Sequence, residues 1–178
     1  MGKITAPEPI TSTHILTDFN CGISSLNDWL KRQALKNEVS GASRTFVACK
    51  DQQVIVFYAL AAGNVNRQEA PGKIKRKMPE PIPVMILARL AVDVHWQNKG
   101  IGRGLLKDAV LRTIKAAKYA GIRALLVHTL SEEAKNFYLR HGFQESPLNQ
   151  FTLMLPLTDE VKPCTVIKYC PRNCTVFT

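Results

Sequence analysis

Between Val84 and Gly104 the chain reads Val-Met-Ile-Leu-Ala-Arg-Leu-Ala-Val-Asp, then His95-Trp96, then Gln97-Asn-Lys-Gly-Ile-Gly-Arg-Gly104. A largely apolar strand breaks into a glycine-rich turn, and a basic amphipathic helix follows. This order predicts a strand–turn–helix unit with a row of unpaired backbone N–H groups at the helix start. Such a place binds a phosphate chain without needing a metal. The open question is which phosphate-bearing molecule sits there and what it delivers.

The remainder of the chain limits the answers. With 178 residues the expectation is one domain and a short appendage. A chain this long buries roughly 70% of its unfolded surface, so it needs neither disulfides nor a metal to hold a core. Lys plus Arg number 24 against 14 Asp plus Glu, a net charge of +10. A field of that sign concentrates polyanions: nucleic acid first, an acidic protein second, an anionic membrane third. The same excess also serves solubility alone. No apolar run reaches the roughly 20 residues of a bilayer span, and the N-terminus lacks the apolar segment of a signal peptide. No membrane partner and a cytoplasmic location are therefore expected. The five cysteines (Cys21, Cys49, Cys164, Cys170, Cys174) fit reduced thiols there.

Along the chain, residues 8–20 read as an entry strand and loop. Leu26, Trp29, Leu30 and Ala34 recur at helical spacing, predicting one helix over 24–37 with Ser25 as its cap. Thr45–Lys50 and Val54–Ala62 flank Asp51-Gln-Gln53 as a hairpin, the second run reaching toward Asn66. Residues 67–83 form a polar loop in which Lys73-Ile-Lys-Arg-Lys77 offers either a solvated surface or a landing site for phosphates. The near-continuous apolar run 84–93 predicts a strand buried on both faces. A helix over 101–120 buries Leu105, Leu106, Ala109, Val110, Thr113 and Ala117 and closes at Gly121 as its C′ residue. Ile122–His128 is a strand. Ser131 caps a helix with Glu132 and Glu133 in its first turn, ending at His141-Gly142. Phe151–Leu155 is a last strand. The order β-α-β-β-β-α-β-α-β gives an α/β (α+β) fold: a mixed central sheet flanked by helices on both faces. The tail 158–178 has no helical period, and its cysteine spacing matches no usual zinc set.

Gly100, Gly102 and Gly104 fit neither a P-loop, which needs Gly-Lys-Ser/Thr, nor the Gly-x-Gly-x-x-Gly of a dinucleotide fold. Gln97-x-x-Gly100-x-Gly102 directly after Leu-Ala-Val-Asp resembles the acyl-CoA signature of the GNAT acetyltransferases. Over roughly residues 3–157 the chain is similar to a narrower group: the GNAT toxins of type II toxin–antitoxin modules, which acetylate aminoacyl-tRNA. The segments carrying this are Ala6-Pro-Glu-Pro9, Leu26-Asn-Asp-Trp-Leu30, Ala42-Ser-Arg-Thr-Phe46, Pro81-Ile-Pro83, Ile86–Asp93, and Glu133-Ala-Lys-Asn-Phe-Tyr138 with His141-Gly-Phe143. The domain is thus expected over 1–157, with 158–178 outside the pattern.

The resemblance implies a GNAT fold with splayed central strands and acetyl-CoA as cosubstrate, with no metal. The turn Gln97, Asn98, Lys99, Gly100, Ile101, Gly102, Arg103 and Gly104 would hold the CoA pyrophosphate, its backbone N–H groups from 98 on as donors. The edge of Leu90, Ala91 and Val92 would pair with pantetheine, and Asn136 would hydrogen-bond the cofactor. Tyr138 would be the acid that protonates the departing thiolate. A dimer and an antitoxin with a ribbon-helix-helix part are implied as well. The acceptor amine separates substrates. A lysine amine with a pKa of about 10.4 is only about 0.1% neutral near pH 7.4, whereas an α-amino group at about 7.7–8.0 is neutral for roughly a fifth to a third. Aminoacyl-tRNA therefore needs no dedicated carboxylate base. Of Glu69, Glu80 and Asp93 none has the context of a base, with Asp93 left open. A GNAT acting on a protein or small-molecule amine is the alternative. Arg89, a cation in an apolar strand, requires either a ligand such as the tRNA end or a structural carboxylate. Lys31, Lys36, Lys75 and Arg76 are further candidates for tRNA phosphates.

Overall fold

The computed structural model describes residues 3–157. The tail expected as an appendage, with Cys164, Cys170 and Cys174, lies outside the described residues. The described chain falls into two compact units, one made of 3–61 with Ala88–Ala109, the other of Ala62–Leu87 with 110–157.

The elements are β1 (Glu8–Pro9), α1 (Ser24–Arg32), α2 (Ala34–Ser40), β2 (Arg44–Lys50), β3 (Gln53–Val65), α3 (Gly72–Lys75), β4 (Ile82–Val92), a 3₁₀ turn (Val94–Trp96), α4 (Ile101–Ala117), β5 (Ala124–His128), α5 (Glu132–Arg140), β6 (Gln144–Glu145) and β7 (Thr152–Pro156). The strands form a mixed seven-stranded sheet in the order β1-β2-β3-β4-β5-β7-β6, with β4–β5 parallel and β5–β7 antiparallel. The expected hairpin is present. Asp51 and Gln52 both take positive φ (51 and 64), the pair of left-handed residues that a two-residue turn between twisted strands demands.

Several expectations need correction. The helix expected over 24–37 is two helices that meet at Gln33. Leu30 and Ala34, on either side of the break, are both fully buried in one cluster with Phe19, Val47 and Phe57. Packing of that stripe, with no Pro or Gly at the joint, sets the kink. Ser25 is no cap: the helix starts at Ser24, and Ile23 occupies the cap position without a side-chain bond. The entry is fastened by Asn27 instead, which accepts from the Cys21 N–H and donates to Asn20 Oδ1, both at 2.9 Å. Gly121 does not adopt the left-handed conformation of a C′ glycine, because α4 has already ended at Ala117. The run expected to be buried on both faces is not: β4 buries Ile82, Val84, Leu87 and Ala91 and leaves the rest half-exposed. The polar loop 67–83 hides the one-turn helix α3, whose Ile74 is buried with Ala70, Ile82 and Val84.

The β4–β5 ladder covers only Met85–Leu87 against Leu125–Val127. β4 runs on from Ala88 to Val92 beyond the last of these pairs.

Candidate active site

In the first unit, β4 ends at Val92 and Asp93 begins a tightly braced turn. Asp93 is buried. Its carboxylate accepts from the Asn20 N–H at 2.9 Å, the His95 N–H at 3.0 Å and His95 Nδ1 at 3.0 Å. Burial alone would raise its pKa, but the N–H donors of Asn20 and His95 outweigh it and hold the carboxyl below its usual range. A low-pKa carboxylate with its lone pairs engaged is a strut and a poor proton acceptor.

The turn then curls. Asn98 (φ 60) and Gly100 (φ 76) are both left-handed, with Lys99 between them. α4 begins at Ile101 and runs 17 residues. Left-handed residues just ahead of a helix start direct consecutive N–H groups to one concave side, and the helix dipole adds positive potential there. The glycines serve different ends. A Cβ on Gly100 would meet nothing within 4 Å, so the positive φ is what calls for glycine. A Cβ on Gly102 would make only an ordinary 3.7 Å contact with Val92 Cγ2. The packing inside the fold therefore does not by itself require a bare Cα at Gly102.

Gln97 has internal partners. Its Nε2 donates to the Cys21 carbonyl at 3.0 Å and the Val92 carbonyl at 2.9 Å. The side chain thus ties the turn to β4 and to the segment before α1. Lys99 Nζ lies 4.7 Å from the Trp96 ring centroid and Lys50 Nζ 5.4 Å from it. Arg103 and Gly104 are half-exposed in the first turn of α4. Leu90 and Val92 are half-exposed on β4 while Ala91 is buried.

Arg89 is half-exposed on β4. Its guanidinium donates to the Ala88 carbonyl at 2.7 Å and lies 5.4 Å from the Trp29 ring. Among the described residues it pairs with no carboxylate. Trp29 stacks in turn on Phe57, at 5.9 Å and 14°. Lys31 and Lys36 are exposed on α1 and α2.

In the second unit, α5 opens with the expected cap, Ser131 accepting from the Ala134 N–H at 3.2 Å. It carries Asn136 and Tyr138 on different faces. Asn136 is exposed, whereas Tyr138 is buried edge-on between Phe137 (5.1 Å) and Phe143 (5.2 Å). Burial pushes the phenol pKa well above its ordinary value, so Tyr138 keeps its proton. Lys75 is half-buried at the end of α3 and Arg76 is exposed beside it. Arg123 holds that turn by donating to the carbonyls of Ile74 (3.2 Å) and Lys73 (2.9 Å).

Sequence reasoning missed Trp29 and Asn27 as supports. Trp29 meets Phe57 and Arg89, distant in the chain, and the Asn27 contacts to Asn20 and Cys21 depend on how the segment before α1 folds back. Glu8, His14 and Cys49 gather their ligand atoms within 4.8 Å of one another. Yet the Thr11 N–H donates to His14 Nδ1 at 2.9 Å, which leaves the proton on Nε2, facing Glu8 at 3.3 Å. Burial, helped by Glu8, pushes the Cys49 thiol up to about 11.

Residues 41–145 match the family described as the acetyltransferase (GNAT) domain. The chain is similar to a tRNA-acetylating toxin of Mycobacterium tuberculosis, 46% identical over 159 residues, covering 89% of this chain and 96% of that protein. Among solved structures it is similar to AtaT complexed with acetyl-methionyl-tRNAfMet, with a TM-score of 0.81, 29% identity, and 86% and 95% of the two chains covered. It is also similar to an AtaT mutant toxin bound to the C-terminus of the antitoxin AtaR and acetyl-CoA, with a TM-score of 0.73, 27% identity, and 86% and 93% covered.

Proposed function

This chain belongs to the GNAT acetyltransferase family, and on that premise we propose that it is a toxin moving the acetyl group of acetyl-CoA onto the α-amino group of aminoacyl-tRNA. The product has no free amine to accept a growing peptide, so translation stops. The observation that carries the reading is the braced turn Gln97–Gly104 at the end of a strand whose last residues run past their β5 partners. Backbone N–H groups of Asn98–Gly104 bind the pyrophosphate, and the edge of Leu90–Val92 pairs with the amides of pantetheine. Gln97 contributes by bracing the turn, and Asn136 hydrogen-bonds the cofactor. The relatives' complexes with acetyl-CoA and with acetylated tRNA support both substrates.

The neutral amine attacks the thioester carbonyl, and a tetrahedral oxyanion forms. Its collapse breaks the C–S bond. The sulfur leaves as thiol with the Tyr138 proton, and the phenolate recovers a proton from the nitrogen that has become an amide. The buried phenol is fully protonated at the start of each turnover, and because its pKa lies above that of a thiolate the proton moves in concert with C–S cleavage. Arg89 lies against Trp29, pairs with no carboxylate among the described residues, and meets a phosphate of the tRNA end. Lys31, Lys36, Lys75 and Arg76 take further phosphates. The domain spans 1–157 with 158–178 as an appendage. The protein works in the cytoplasm as a homodimer and is silenced by a ribbon-helix-helix antitoxin; the antitoxin bound to AtaT supports such a partner.

Incubation with total charged tRNA and radiolabelled acetyl-CoA tests the proposal. Label is expected on the aminoacyl moiety after nuclease digestion. Label on protein or polyamines and none on the aminoacyl group would overturn it.

A further inference from the structure

Lys135 is almost wholly buried, at 7% exposure, and a buried ammonium is costly unless it is paired. Its Nζ lies 2.8 Å from Glu145 Oε1 and 3.4 Å from Gln150 Oε1, and it sits 5.7 Å from the Phe151 ring. One residue of α5 thereby grips β6, through Glu145, and the turn that leads into β7. Glu145 is itself in register with Leu153 of β7. The hydrogen bond to Glu145 raises the ammonium's pKa, so the charge is retained. α5 has only 9 residues, too few to hold a helix without tertiary anchors. Tyr138 stands three positions after Lys135, one turn along the same side of the helix. The rings of Phe137 and Phe143 orient the phenol, but dispersion contacts resist sliding weakly, whereas a charged hydrogen bond has a sharp optimum in distance.

We propose that Lys135 is a positioning residue for acetyl transfer: by clamping α5 to Glu145 and Gln150 it sets where the Tyr138 phenol stands, without touching either substrate. The inference rests on the reading of Tyr138 as the acid.

A double-mutant cycle tests it, with total charged tRNA and labelled acetyl-CoA as substrates. Tyr138→Phe is expected to lower kcat about 100-fold, the lower range for loss of a general acid. Lys135→Met keeps the apolar stem, and it is expected to lower kcat about tenfold through a misplaced acid while KM for acetyl-CoA stays within about twofold. Lys135→Arg, which still reaches Glu145, recovers most of the rate. The decisive variant is the double. If Lys135 acts through the phenol, the double matches Tyr138→Phe within about twofold. A double that falls by the product of the two single losses overturns the proposal while leaving the acid in place. Tyr138→Phe at the parental rate overturns the acid reading and the proposal with it. Should Lys135→Met fail to fold, Glu145→Gln on the more exposed side of the pair serves in its place. It is expected to cost about threefold in kcat, again absent in the Tyr138→Phe background, and an unchanged rate in the parental background overturns the proposal.

Discussion

Strands β3 and β4 are written in nearly the same alphabet and are used in opposite ways. Every residue of β3 from Val54 to Leu60 is buried, and Val56, Phe57, Tyr58 and Ala59 show no exposure at all. β4 is as apolar apart from Arg89, yet buries only four of its positions, Ile82, Val84, Leu87 and Ala91. The difference follows from the ladders. β3 is paired from Gln53 to Leu60 along the full length of β2, whereas β4 meets β5 over three residue pairs and then, among the described residues, runs on past β5. An apolar run says that a strand will be covered; it does not say whether protein or ligand does the covering.

The contrast is broken most severely at Phe57. Its ring stacks on Trp29 and meets Phe19 edge-on at 5.4 Å. Phe57→Ala is expected to cost about 3–5 kcal/mol in urea unfolding, and a loss below about 1 kcal/mol would mean that β3 is not the supporting core. Gly100→Ala comes next. The site has room for the methyl group, so the cost is the positive φ alone, about 1–2 kcal/mol. An exposed turn relaxes when empty, so the cost falls on cofactor uptake. Calorimetry should show acetyl-CoA binding about tenfold weaker, and unaltered affinity would separate the turn from the cofactor. Leu90→Ala sharpens the comparison from the other strand. At a half-exposed position that works through its backbone, truncation should cost under about 1 kcal/mol of stability. A loss as large as that of Phe57→Ala would show β4 buried in the manner of β3.

The smallest effect is confined to acid. The folded pKa of Asp93 is depressed, so its contribution is complete above the unfolded value, about 3.9, and is lost as pH falls through the lower folded value. Melting temperatures of Asp93→Asn should therefore fall less steeply below pH 4 than those of the parent, while the acidic limb of kcat is unchanged. Loss of that acidic limb would mark Asp93 as a base.

Much of this architecture was legible beforehand. The hairpin, α4, the cap at Ser131 and the turn after Val92 all depend on interactions within a few residues: helical period, N–H geometry, and the φ available to Asn98 and Gly100. The elements that escaped are short or set by packing. α3 has 4 residues and β6 has 2, too few for any period to show. The kink at Gln33 is a consequence of where Leu30 and Ala34 sit, and nothing at position 33 announces it.

The site divides along the same line. By itself the amino-acid order determined the glycine-rich turn after β4, the helix that bears Tyr138 and the surplus of cations, because each is encoded in neighbouring residues and in backbone stereochemistry. Only the tertiary structure decided that Arg89 lies against Trp29, that Gln97 braces Cys21 and Val92, that Asp93 is a strut, and that Lys135 is held by Glu145. A charged or polar side chain can be satisfied by many partners, and which one reaches it is chosen by strands and helices that meet only once the chain has folded.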